Sequence, residues 1–162
     1  MKKILFVLLL VLISLLGISF LYFYNEHFIS PIVYQDEVII RHDGRGNGYF
    51  AAHRSGNRTH QGLDLLAELK TPVLASRSGI VISAKQTRGM GKYVIIRHLG
   101  GYTTLYGHLS AIMVKKNQIV RRGKVIGLVG KTGNANYRNI LPHLHFEIRK
   151  NGIPQDPLFY LD

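Results

Sequence analysis

No cysteine occurs in this chain of 162 residues, so neither a disulfide nor a lipid carried on a thiol can hold it together or to a surface. Any exported part must rest on its own apolar core, and about 120 residues are enough for one. Acidic residues are scarce too, with nine Asp and Glu against 21 Lys and Arg. The excess is localised. Residues 1–41 hold three groups of each sign, whereas residues 42–162 hold 18 basic against six acidic. Such a field favours anionic polymers. Nucleic acid is the usual candidate, but a domain outside a membrane meets cell-wall or envelope polyanions instead.

The carboxylate shortage also narrows the chemistry. Two-metal phosphatases and nucleases draw on several bridging carboxylates, and Asp43, Asp64, Glu68, Glu147, Asp156 and Asp162 do not cluster in the sequence. The His-Glu-x-x-His element, whose Glu serves as base beside a metal, is missing as well. There is no internal repeat, no low-complexity tract and no 12-residue helical pattern after Tyr24.

One long hydrophobic run is present. Ile4 to Tyr24 is 21 residues without a charge, preceded by Lys2 and Lys3. As a helix it spans roughly 30 Å, the thickness of a bilayer core. The positive flank predicts a single-pass anchor over 1–24 in the cytoplasmic membrane, with the N-terminus inside and the rest in the periplasm or outside the cell. The alternative is a secreted protein after signal cleavage, but the run is longer than a signal core and ends in Phe20-Leu21-Tyr22-Phe23-Tyr24 without an Ala-x-Ala site. Residues 25–41 read as a spacer holding at most an edge strand.

From residue 42 onward, short β-branched and aromatic runs alternate with glycine turns. Val73–Ser76, Ile80–Ala84, Tyr93–Arg97, Tyr102–Tyr106 and Val125–Val129 are separated by Ser78-Gly79, Gly89-Met90-Gly91, Gly100-Gly101 and Arg122-Gly123. This spacing predicts an all-β fold. Residues 42–58, with Gly44, Gly46, Gly48 and Gly56, have loop composition.

Within this frame, Pro142-His143-Leu144-His145-Phe146-Glu147 reads as strand. Alternation then sends His143 and His145 to one face and Leu144 and Phe146 to the other. Two imidazoles meet one site, and a hydrolytic zinc needs about three protein ligands plus an open position. His60 and Asp64 share a face in either secondary structure, although such a pair alone arises often by chance. His108 ends a strand, where it can face a cleft and move protons; a lone histidine is more often packed or exposed without a role. His27, His42, His53 and His98 are read in that plain way. One zinc held by His60, Asp64 and either His143 or His145, with the other histidine and His108 assisting, fits the residues available.

The order His60-x-x-x-Asp64, Tyr106-Gly107-His108-Leu109-Ser110, then Pro142-His143-Leu144-His145-Phe146-Glu147 resembles the lysostaphin-type, or LytM-type, zinc endopeptidases of bacterial cell walls. The resemblance runs from about Gly44 to Leu161 and includes Gly79-Ile80-Val81, Ile126–Gly130 and Thr132-Gly133. It implies antiparallel sheets forming a groove, a metallopeptidase domain over 42–162, and one zinc per domain on His60, Asp64 and His145. His108 and His143 would serve the reaction, hydrolysis of stem or bridge peptides in peptidoglycan. Expected partners are peptidoglycan and the membrane, without nucleic acid, and a regulatory partner is left open. Degenerate members of that family imply the alternative of a non-catalytic wall-binding or amidase-activating module. Two stretches depart from the family pattern. Asn134–Pro142 is a longer link before the last motif, and Asp43–Arg54 is similar to a subgroup with a vertebrate zinc-binding chemotaxin. Substrate selection is expected near these loops; no substrate-binding residue is assigned.

Overall fold

The computed structural model describes residues 2–24, 26–35, 37–44 and 46–161. Met1, Asn25, Asp36, Arg45 and Asp162, which fall in the expected anchor, spacer and exported regions, lie outside the described residues. The apolar run forms helix α1 (Lys2–Tyr24), and all the described strands follow it. It is exposed from Lys2 to Leu21 and is the one described helix long and apolar enough to cross a membrane.

The glycine-rich stretch folds into two minimal hairpins, β1 (His42–Asp43) with β2 (Gly46–Asn47) and β3 (His53–Arg54) with β4 (Arg58–Thr59). The main sheet has the order β11 (Ile119–Val120), β7 (Gly79–Thr87), β8 (Gly91–Arg97), β9 (Tyr102–Leu109), β13 (His143–Lys150) and β14 (Ile153–Gln155), with β5 (Leu63–Leu66) also paired to β13. A second sheet joins β10 (Ala111–Ile112), β12 (Val125–Leu128) and β6 (Pro72–Leu74). Every strand pair is antiparallel, the all-β class that the turn spacing implies.

β13 is the hub. Along its length it pairs with β9 on one side, while on the other its first half pairs with β5 and its last with β14. Leu144, Phe146 and Ile148 point into the core and are fully buried, with Leu144 opposite Leu65, Phe146 between Leu63 and Tyr106, and Ile148 opposite Thr104. Each such side chain contributes on the order of 2 kcal/mol. That apolar face fixes the register, because a slip of one residue would exchange the two faces. His143, His145 and Glu147 are therefore committed to the opposite face.

Between α1 and β1, several of the described residues pack on the β domain. Phe28 and Ile32 are buried in the core, Phe28 bridges to Leu161, and Ile40 bridges to Leu65. The amide of Ile29 donates to Ser76 (2.9 Å) and that of Leu74 to the carbonyl of Pro31 (2.8 Å). The short apolar runs in this stretch are thus used for packing without forming a strand.

His98 is buried beside this seam. Its Nδ1–H donates to the Ser78 carbonyl (2.9 Å), and its Nε2 lies 2.8 Å from the Thr104 hydroxyl. Burial, opposed by the Ser78 bond and aided by Arg77, lowers its pKa from 6.5 to about 4. The unfolded chain therefore takes up this proton first as pH falls. The stability involved is complete above pH 6.5 and is lost on the way down to about pH 4, roughly 3 kcal/mol in all. Urea unfolding between pH 7.5 and 4 is expected to show that slope, flattened in His98→Gln; an unchanged slope in the variant would assign it to other groups.

Candidate metal centre

The register of β13 assembles the site. His145 stands opposite Asp64 of β5 on one side and opposite Gly107 of β9 on the other. A side chain at Gly107 would press on His145, whose Cβ lies 3.3 Å from where a Cβ would stand. His60 is delivered by the turn just before β5. That turn closes onto β13 only because residue 62 is glycine: a Cβ there would sit 2.2 Å from the Phe146 carbonyl oxygen.

Three atoms converge as a result. His60 Nε2 lies 3.0 Å from Asp64 Oδ1 and 3.0 Å from His145 Nδ1, and His145 Nδ1 lies 2.9 Å from Asp64 Oδ1. All three residues are buried. The outer nitrogens decide what this triangle is. His60 Nδ1 lies 2.8 Å from the Tyr49 carbonyl, and His145 Nε2 lies 3.0 Å from Glu147 Oε1. Both partners only accept, so both outer nitrogens carry the hydrogen. A neutral ring then has only a lone pair at its inner nitrogen. With both rings neutral, two lone pairs and a carboxylate oxygen face one point, which calls for a cation there, a metal ion or a proton. The triangle's edges are close to the roughly 3.3 Å expected between ligands of a tetrahedral zinc. The donor set fits that metal.

Asp64 is held from both ends. Its Oδ1 faces the histidines, and its Oδ2 receives Arg41 Nη2 (3.0 Å) and Arg54 Nη2 (3.1 Å). Burial raises its pKa, but the adjoining His145 and His60 outweigh that and hold it well below the usual carboxylate range. For His145, burial disfavours the charge while Asp64 and Glu147 favour it more, so its pKa rises to about 9. Without metal, a proton on His145 supplies the positive charge. Glu147 is itself braced by Arg149 Nε at 2.7 Å, and Arg149 Nη2 reaches Gln61 Oε1 at 2.5 Å.

His108 and His143 complete the group. His143 Nδ1–H donates to the Leu141 carbonyl (2.7 Å), leaving Nε2 facing the site 3.9 Å from Asp64 Oδ1. His108 follows Gly107, and simple alternation would send it to the core with Tyr106. Its φ of 62° turns it back. Left-handed backbone at a non-glycine residue costs about 1–2 kcal/mol and persists only where surroundings enforce it. Here the His108 amide donates to Met90 (2.9 Å) and Nδ1–H to the Thr132 carbonyl (2.9 Å). Its ring centroid lies 5.1 Å from that of His143 and 5.8 Å from that of His145. Burial, then the neighbouring His145 and His143, push His108 down to about 3, and burial also lowers His143. Both are neutral near pH 7, with inner lone pairs free to accept a proton.

All five residues singled out by the sequence line one cavity of about 780 Å³. Arg54, Asn57 and Arg58 from the second hairpin form part of its wall, as do Asn134, Ala135 and Ile140 from the long link. Sequence reasoning missed Glu147 as the partner of His145, although its place two residues further along the same strand face was a usable signal. It also missed Arg41 and Arg54, whose separations of 23 and 10 residues from Asp64 offered none.

Comparison with known proteins identifies the family. The profile of Peptidase family M23 matches residues 58–157, well over half of the chain. The chain belongs to that family. Among its M23 relatives is the DD-carboxypeptidase/endopeptidase Mpg of Neisseria meningitidis, 46% identical over 101 residues, which are 62% of this chain and 22% of that protein. The Pseudomonas aeruginosa lipoprotein NlpD/LppB homolog is 41% identical over 115 residues, 70% of this chain and 36% of that one. The chain thus spans about a fifth to a third of the length of these relatives. The catalytic domain of lysostaphin from Staphylococcus simulans superposes with a TM-score of 0.60 at 32% identity, covering 72% of this chain and 90% of that domain.

Two substitutions test the donor set. The wild type is expected to retain one zinc after dialysis, read by atomic absorption, and Asp64→Ala and His145→Ala are each expected to lose it; stoichiometric zinc in either variant would refute the set. Glu147→Gln keeps shape but weakens the acceptor of His145, and its zinc affinity is expected to fall about 10- to 100-fold.

Proposed function

We propose that this chain is a membrane-anchored zinc endopeptidase that hydrolyses stem or cross-link peptides of bacterial peptidoglycan. The observation that carries the reading is the division of labour among four histidines. Each has its outer nitrogen hydrogen-bonded to a fixed acceptor, two aim their inner nitrogens at Asp64 Oδ1, and the other two stand alongside in the same cavity. A site that only bound metal or a wall polymer would have no use for the second pair, least of all one held in strained backbone.

His60, Asp64 and His145 would hold the zinc. Bound there, zinc supplies Lewis acidity toward a peptide carbonyl and makes water acidic enough to be a nucleophile near pH 7. The remaining work falls to the chain. His108 and His143, neutral with free Nε2 atoms, would accept the proton that the attacking water sheds. As negative charge grows on the former carbonyl oxygen, the protonated ring becomes a donor to it and then returns the proton to the leaving amine. The Asp64 carboxylate, its second oxygen occupied by Arg41 and Arg54, would stay ionised throughout.

The names of the relatives support a peptidoglycan substrate, since one from Vibrio cholerae, 43% identical over 95 residues, is called a peptidoglycan DD-endopeptidase. The position of α1 ahead of the β domain supports an anchor over 1–24, with the peptidase part over 42–162 on the outer side of the cytoplasmic membrane. The lipoprotein name among the relatives points to the same envelope setting.

Digestion of purified peptidoglycan by the full chain is expected to release new muropeptides with zinc and none after chelation. Replacement of His108 by Asn, which tolerates the same left-handed backbone, is expected to keep fold and zinc but lower turnover by about 10²-fold or more. Bound zinc without cleavage of any wall type would favour a binding or amidase-activating module.

A further inference from the structure

The segment from Met113 to Lys124 carries Lys115, Lys116, Arg121, Arg122 and Lys124 and has no Asp or Glu. All five cations are exposed. So are two apolar side chains of the same segment, Met113 at 56% and Ile119 at 76%. Nothing in the peptidase site uses this segment. It includes β11, one edge of the main sheet, while β14 forms the opposite edge. Five strand spacings, about 24 Å, separate the two edges.

This edge is tied to the foot of α1. The Glu26 carboxylate, two residues beyond the helix, accepts from the Ser78 amide (2.5 Å) and the Ser78 hydroxyl (2.9 Å). The Ser78 hydroxyl in turn accepts from the Arg122 amide (2.9 Å). Arg122 Nη1 donates to the His27 carbonyl (3.2 Å), and its Nε lies 3.8 Å from Glu26. Leu15, Ile18 and Ser19 of the helix share one cleft with Glu26, Arg121 and Arg122. The basic edge therefore stands level with the last third of the helix. A helix that spans a bilayer, with Glu26 and His27 emerging from it, therefore holds this edge against the membrane's outer surface.

We propose that the Met113–Lys124 edge is a docking surface for anionic phospholipid headgroups. The proposal rests on α1 being membrane-embedded. Lys115, Lys116, Arg121 and Lys124 meet the phosphates, and Ile119 and Met113 enter the interface between them. Arg122 acts as the strut to the helix. Docking orients the sheet edge-on to the membrane and carries β14 to the far side. Two charge-based partners are conceivable for a cationic face, but only the membrane is brought to this edge by the chain's own connections.

The absence of cysteine makes the test direct. Ile119→Cys and Ile153→Cys, the latter on β14 and 65% exposed, each create a single site for a polarity-sensitive fluorophore. The full chain is reconstituted into vesicles of phosphatidylcholine, or of phosphatidylcholine with phosphatidylglycerol, and probed with acrylamide. The Ile119 label is expected to be shielded in anionic vesicles and accessible in neutral ones, and the Ile153 label accessible in both. Changing Lys115, Lys116, Arg121 and Lys124 to Gln is expected to lower the docked-to-free ratio about fivefold per cation. High salt is expected to release the label too. Equal quenching of the Ile119 label in both vesicle types, by a chain that resists alkaline extraction, would overturn the proposal. Shielding in neutral vesicles by an added anionic wall polymer, without any response to anionic lipid, would also overturn it. A chain stripped from vesicles by alkali would instead remove the anchor reading, and the proposal with it.

Discussion

Three electron pairs aimed at one point cannot stay buried without a positive charge between them. His60 Nε2, Asp64 Oδ1 and His145 Nδ1 lie about 3 Å apart, and the outer nitrogens of both rings have already spent their hydrogens on Tyr49 and Glu147. Much of the surrounding structure serves that convergence. Glycine at 62 lets the His60 turn approach β13, glycine at 107 leaves room for the His145 ring, and Arg41 and Arg54 occupy the free oxygen of Asp64.

Burying four histidines, an aspartate and a glutamate together is costly, and the opposite face of the same strand offsets it. Leu144, Phe146 and Ile148 are locked into the core, so β13 cannot slide to relieve the polar side. The backbone of His108 shows the same compromise on a smaller scale. Its left-handed conformation is tolerated because Met90 and Thr132 clamp it, and the return is a second imidazole beside His143. Stability and chemistry are thus divided between the two faces of one sheet.

The strand content of this fold was legible from glycine spacing and β-branched runs, because antiparallel strands joined by short turns leave a local signature. Alternation alone puts His143 and His145 on one face. What the sequence could not reveal depends on long-range geometry. No periodicity announces that His108 leaves the pattern of β9, since the cause lies in the backbone of Met90 and Thr132. Arg41 and Arg54 meet Asp64 through folded loops whose composition suggested only turns. The packing of residues 26–41 was hidden as well, because an irregular apolar segment that fills a groove has no repeat to detect.

The chemistry of the site depends on which atoms would hold the metal. Anomalous diffraction at the zinc edge from zinc-loaded crystals tests it most directly. One peak is predicted, bonded at about 2.0–2.2 Å to His60 Nε2, Asp64 Oδ1 and His145 Nδ1, with His108 and His143 outside bonding distance. A peak ligated by His108 or His143, or zinc bound only at surface histidines, would contradict it.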